Sequence, residues 1–217
     1  MRLAANPRQL AALDRRIATD DTLAPVRDTW RQLAAPRGRN LLANPGFEDG
    51  LDPAQDAPAA DPRLCAPLRP AAWQVGWIPT RDADLRLTGA RTTAGRLALE
   101  CRGPIFGRLS QDVDVTPGRR LILSADAAGK LRPGAMFYLR LKWQDATGRE
   151  LGFAPARTGL FSGIHEQWRR IAILATPPPS ATRATVELTW TDLGPRDTVW
   201  IDELSLQEVQ AETPIIP

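Results

Sequence analysis

The chain has 217 residues, 43% of them hydrophobic, which is material for one main domain with a core of its own plus an appendage. Its 28 basic and 25 acidic residues nearly balance, and the basic ones are arginine except for Lys130 and Lys142. No long basic block occurs, so the electrostatic footprint of a nucleic-acid binder is missing, and no apolar run approaches the ~18 residues of a transmembrane helix.

Residues 1–17 break short apolar pairs with Arg8, Arg15 and Arg16, so no signal peptide is visible; an extracellular or periplasmic location would require an export signal on a longer parent chain. From 6 to 35 the apolar residues recur at three- and four-residue spacing: Leu10, Leu13, Ile17, then Val26, Trp30, Leu33. This predicts two short helices. Asn6-Pro7 starts the first, Thr19–Thr22 separates the pair, and Pro36 and Gly38 end the second. Each carries a narrow apolar stripe that needs a partner surface. Residues 1–38 are thus read as a helical extension or linker, 39–208 as the main domain and 209–217 as a tail.

From Asn40 onward the period changes to two, and turn residues come at short intervals. The first strand is expected to follow Asn40. Residues 52–70, rich in Pro, Ala and Asp, suit a long irregular loop, because proline lacks the ladder donor. Further strands are predicted near 73–77, 85–87, 96–101, 106–113, 120–127, 136–143, 169–175, 184–190 and 198–208. Thr116-Pro117-Gly118 and Ala146-Thr147-Gly148 supply the fixed and permissive φ angles of tight reversals. About nine short strands so spaced predict an all-β fold, a jelly-roll β-sandwich of two antiparallel sheets. Cys65 and Cys101 are the only cysteines, too few for a zinc site by themselves, and spacing leaves their pairing open.

Three stretches, in order, carry a family resemblance: Asn40-Leu-Leu-Ala-Asn-Pro-Gly-Phe-Glu-Asp-Gly50, then Gln111-Asp-Val-Asp-Val-Thr-Pro-Gly118 with Leu121-Ile-Leu-Ser-Ala125, and finally Val199-Trp-Ile-Asp-Glu-Leu-Ser-Leu206. Together they resemble carbohydrate-binding modules of the family four, nine and twenty-two type, galactose-binding-like jelly rolls often attached to glycoside hydrolases. The resemblance implies a non-catalytic module for a polysaccharide or oligosaccharide, with a catalytic domain on a longer parent chain as its partner. It also implies a structural calcium shared by Glu48 of the opening motif and Asp202 of the closing one. Calcium takes 6–8 oxygens, so carbonyls and water would have to complete such a shell. The alternative is that both carboxylates accept hydrogen bonds from loop amides.

A sugar ring offers apolar C–H faces and a rim of hydroxyls, which calls for an aromatic platform bordered by polar side chains. Alternation in Tyr138–Trp143 sends Leu139, Leu141 and Trp143 to the core and Tyr138, Arg140 and Lys142 outward. The same rule buries Val186, Leu188 and Trp190 and leaves Glu187 and Thr189 outside; it buries Leu121, Leu123 and Ala125 and leaves Ile122, Ser124 and Asp126 outside. If these strands are neighbours, Tyr138, Arg140, Asp126 and Glu187 form one patch, and it is the candidate ligand-binding face. Trp73 is read as core and Trp77 as the exposed member of its pair, adding Trp77 to the site. Trp168 and Trp200 are read as packing residues, and Gly159–His165 as a mobile lip.

Catalysis has little to build on. His165 is the only histidine, Ser162 lacks a nucleophile elbow, and no phosphate-cradling glycine loop precedes a helix. The expectation is no enzyme. The competing function is a structural or protein-interaction sandwich without sugar binding, its helices docked on a neighbouring domain.

Overall fold

The computed structural model describes residues 38–49, 72–78, 84–103, 106–154 and 160–209. The chain divides into two units, Arg39–Glu208 and a second made of Met1–Gly38 with Val209–Pro217. The two expected helices, the Pro-rich loop at 52–70 and Cys65 lie outside the described residues.

Among the described residues, eleven strands build the larger unit. The first five are β1 (Gln74–Ile78), β2 (Asp84–Thr88), β3 (Ala98–Arg102), β4 (Phe106–Asp114) and β5 (Leu121–Lys130). They are followed by β6 (Met136–Gln144), β7 (Glu150–Phe153), β8 (Leu160–Ser162), β9 (Ile164–Ala175), β10 (Arg183–Thr191) and β11 (Thr198–Glu208). One sheet has the order β1-β4-β10-β6-β7, with β8 also on β6; the other runs β2-β3-β11-β5-β9. All pairings are antiparallel, and the fold is the all-β sandwich of two antiparallel sheets that the periodicity predicts.

The core follows from alternation. Leu139, Leu141 and Trp143 of β6, Val186, Leu188 and Trp190 of β10, and Leu121, Leu123 and Ala125 of β5 all turn inward and are buried, as does Trp73 ahead of β1. Val199, Ile201, Leu204 and Leu206 of β11 join the β5 residues, and together they face those of β6 and β10 from the second sheet. At the β6–β7 reversal, Asp145 accepts hydrogen bonds from the amides of Thr147 and Arg149, and Gly148 takes φ +83°.

Four expectations are corrected. No strand follows Asn40: residues 40–49 are bends and turns, with positive φ at Asn44 and Phe47, and side chains rather than a ladder hold them. Asn40 Oδ1 accepts from the amides of Leu42 and Leu206, while Gln111 accepts from Ala43 N–H and donates to the carbonyls of Ala43 and Ala72. Second, β7 and β8 were not expected. They are short edge strands beside glycines, with too few residues to show a period. Third, β9 begins at Ile164 rather than near 169. Fourth, Phe161 is no part of a lip: it is buried, opposite Phe137, with the His165 ring set against its edge.

Gly129 of β5 stands where β11 comes closest. A Cβ there would collide with the Thr198 carbonyl oxygen, which belongs to the backbone and cannot step aside. Gly129→Ala is expected to cost about 2 kcal/mol or more, read as a lower midpoint in urea denaturation.

Candidate functional site

The proposed patch divides between the two sheets. Tyr138, Arg140 and Glu187 share the outer face of the β1-β4-β10-β6-β7 sheet, where Glu187 is paired across the strands with Arg140 and Thr189 with Tyr138. Asp126 lies on β5, in the other sheet, and pairs with Arg170 instead. Local alternation reported the outward direction correctly but carried no information on which sheet each strand would join. Trp77 is opposite Gly107 in the β1–β4 ladder; its side chain is outside the described set.

Glu187 also departs from expectation in exposure. It points outward yet is only 1% exposed, because Arg108 Nη1 and Arg140 Nε reach its two oxygens at 3.0 and 2.5 Å and their stems roof it over. Arg140 also lies 4.6 Å from the ring centroid of Phe153, an exposed aromatic on β7 that periodicity had not indicated. Ile122 and Ser124 on the other sheet are likewise buried despite facing out.

The larger aromatic feature is on that other face. A row crosses the sheet from Arg86 on β2 to Glu100 on β3, Trp200 on β11 and Ala128 on β5. Beyond Ala128 the ladder to β9 is irregular: Ala127 opposes Arg169 and Gly129 opposes His165, so residues 166–168 stand against Ala128 alone. Trp168 belongs to this bulge. Trp168 and Trp200 are therefore two strands apart, about 9.6 Å, with only an alanine methyl between them. Arg91 fills the slot, its guanidinium carbon 4.6 Å from the Trp200 ring centroid and 5.6 Å from that of Trp168. Both tryptophans and Arg91 are half-exposed.

Polar groups border this stack. Glu100, 1% exposed, receives Arg86 Nε at 2.8 Å and Arg102 Nε at 2.5 Å. One row further along, Asp126 receives Arg170 Nε at 2.7 Å and Nη2 at 3.1 Å. Of the residues expected at the site, Asp126 is the one that borders the tryptophan pair. Trp168 and Trp200, read from the sequence as packing residues, are instead half-exposed; for Trp200 the signal was present, since Val199 and Ile201, both buried, flank it and alternation sends it outward. For Trp168 it was not, since its place is set by the bulge.

The position of Arg91 depends on the loop between β2 and β3. Asp202 Oδ2 accepts from Thr93 N–H (2.7 Å), Thr93 Oγ1–H (2.8 Å) and Ala94 N–H (3.4 Å), and its Oδ1 accepts from Glu203 N–H at 2.8 Å. Glu48 Oε1 accepts from the amides of Arg96 and Leu97 at 2.7 and 2.9 Å, and its Oε2 is 3.6 Å from Arg96 Nε. Both carboxylates grip the same loop. Donors thus occupy the oxygens that a calcium ion would need, and N–H groups face them where further oxygen ligands would be required, so these residues do not fit a calcium shell. Among the described residues no group of three His, Cys, Asp or Glu side chains is placed to hold a metal.

No protein-family model matches the chain, and no curated protein matches it. Solved structures do, and they share its fold, a β-sandwich of two antiparallel sheets. The CBM22-1 xylan-binding domain from Paenibacillus barcinonensis Xyn10C is 17% identical with a TM-score of 0.51, over 82% of this chain and 99% of that one. The TmCBM61 structure in complex with β-1,4-galactotriose is 19% identical with a TM-score of 0.53, over 78% of this chain and 98% of that one. The enzymatically active domain of bacteriophage CBA120 tailspike protein 4 is 13% identical with a TM-score of 0.56, over 78% of this chain but only 21% of that one.

Two tests bear on the loop. Adding calcium or a chelator should leave the melting temperature unchanged, whereas Asp202→Ala, which strands several donors, should lower it markedly. The Leu97 amide, helped by the amide and guanidinium of Arg96 and opposed by burial, holds the Glu48 carboxyl below its ordinary value. A depressed carboxylate contributes stability above the unfolded value and loses it as pH falls through the folded one. Glu48→Gln should therefore melt lower than the parent at neutral pH, with the gap closing as pH drops below about 4.5.

Proposed function

We propose that the domain is a non-catalytic carbohydrate-binding module whose ligand lies on the outer face of the β2-β3-β11-β5-β9 sheet. The observation that carries this is the half-exposed Trp168–Arg91–Trp200 stack with its rim of Glu100, Arg102, Asp126 and Arg170. Indole faces take the C–H face of a pyranose, and charged side chains at the border take its hydroxyls. Two structural neighbours, a xylan-binding domain and a complex with β-1,4-galactotriose, support a β-linked polysaccharide as the class of ligand. A module of this kind would serve a polysaccharide-acting catalytic domain on a longer parent chain by keeping it near substrate.

A protein-contact role has one observation in its favour: Phe153, Leu160 and Ile164 are 47%, 45% and 69% exposed. Phe153 and Leu160 lie on β7 and β8 of the β1-β4-β10-β6-β7 sheet, whereas Ile164 begins β9, the edge strand that also carries Trp168.

Affinity electrophoresis of the whole chain in soluble xylan, β-glucan and β-1,4-galactan separates the readings. At least one glycan should retard it. Trp200→Ala should weaken that retention by about 2 kcal/mol, roughly 30-fold, while Tyr138→Ala on the opposite sheet leaves it unchanged. No retardation by any glycan sinks the sugar reading; loss with Tyr138→Ala alone moves the site to the other face.

A further inference from the structure

We infer that Arg91 is a displaceable plug of the tryptophan face: its guanidinium fills the slot while no ligand is bound and swings aside when a sugar ring enters. This rests on the carbohydrate-binding reading above and adds a control on the same site. The guanidinium carbon lies 4.6 Å from the Trp200 ring centroid and 5.6 Å from that of Trp168. A pyranose entering between the two indoles needs van der Waals contact with the ring faces that Arg91 covers. Sugar and guanidinium therefore compete for one volume, and only one of them occupies it at a time.

The side chain of Arg91 is held weakly, whereas the backbone around it is held firmly. Among the described residues its guanidinium makes no hydrogen bond and no ion pair; its contacts are the two rings. Arg86, Arg102 and Arg170 of the same face each hold a carboxylate instead, that of Glu100 or of Asp126. On either side of Arg91 the chain is tied down: Thr88 Oγ1 accepts from the Ala90 amide at 3.1 Å, and Asp202 Oδ2 accepts from the Thr93 amide at 2.7 Å. The part that moves is thus the side chain, by rotation about its own bonds, while the loop stays. Two half-exposed indoles with nothing between them would form an apolar patch in water, and a weakly hydrated guanidinium covers it at little cost. Each cation–ring contact at an exposed site is small, so the pair together lowers the apparent affinity for a sugar by about 5- to 30-fold.

Affinity electrophoresis of the full chain in soluble xylan, β-glucan and β-1,4-galactan, with Arg91→Ala run beside the parent, tests the plug. In whichever glycan retards the parent, Arg91→Ala should be held about 5- to 30-fold more tightly, and Arg91→Lys, whose ammonium is compact and strongly hydrated, should lie between the two. A second measurement needs no sugar. Acrylamide should quench more of the tryptophan emission in Arg91→Ala than in the parent, and this rise should vanish in a chain where Trp168 and Trp200 are both replaced by Phe. Thermal melting checks that each variant is folded; if Arg91→Ala is not, Arg91→Gln, which loses the charge and keeps much of the length, should shift both measurements in the same direction. Retention of Arg91→Ala equal to or weaker than that of the parent overturns the plug and leaves the carbohydrate reading standing, since Arg91 would then be a bystander or a contact of the ligand. Unchanged quenching overturns the plug too. Retention of neither chain by any of the three glycans overturns both.

Discussion

The grip of Asp202 on Thr93 and Ala94 sets the position of everything on the tryptophan face. A buried carboxylate without donors would be costly, and here four hydrogen bonds compensate it, three of them from a loop that would otherwise be free to wander. Glu48 takes the next turn of the same loop through the Arg96 and Leu97 amides. With residues 93–97 fixed at both places, Arg91 is brought over the sheet two residues earlier, to the gap between Trp168 and Trp200. The opening and closing motifs, separated by almost the whole domain, thus meet on a third segment as well as on each other, where Asn40 Oδ1 takes the Leu206 amide.

The two outer faces share a construction. Each has a glutamate at 1% exposure beneath a pair of arginines, Glu100 under Arg86 and Arg102, and Glu187 under Arg108 and Arg140. A carboxylate so covered is held by partners whose aliphatic stems also shield it, and removing one arginine leaves a poorly solvated charge behind. What differs is the aromatic content nearby. One face adds Phe153 and Tyr138 toward an edge; the other sets two indoles around its centre, which is why the ligand is assigned there.

Strand positions and their inward residues were legible because a period of two, read over five or more residues, is a direct trace of the pleat: Leu139, Leu141 and Trp143 could go nowhere else. The same trace is silent on strand order, so Asp126 and Glu187 could be seen to face outward but not to face away from each other. Burial of Glu187 was hidden for a related reason, since its cover comes from strands distant in sequence. Three-residue β8 and glycine-interrupted β7 exist through their pairing with β6 rather than through any pattern of their own. Of the two platform tryptophans, Trp200 was readable from its flanking Val199 and Ile201, whereas Trp168 depends on a break in register.

That break makes the length of β9 a coordinate of the tryptophan face. Residues 166–168 oppose a single residue of β5, two more than a regular ladder holds, and two preserve the parity of inward and outward side chains. Loss of one residue there would turn His165 and everything before it to the opposite side of the sheet. Loss of two would keep the parity but draw the strand straight, closing the space where Trp168 leans. In most exposed edge strands a change of length is absorbed quietly at a turn; in this one it would rule the spacing of the two indoles, and with it the slot that Arg91 fills.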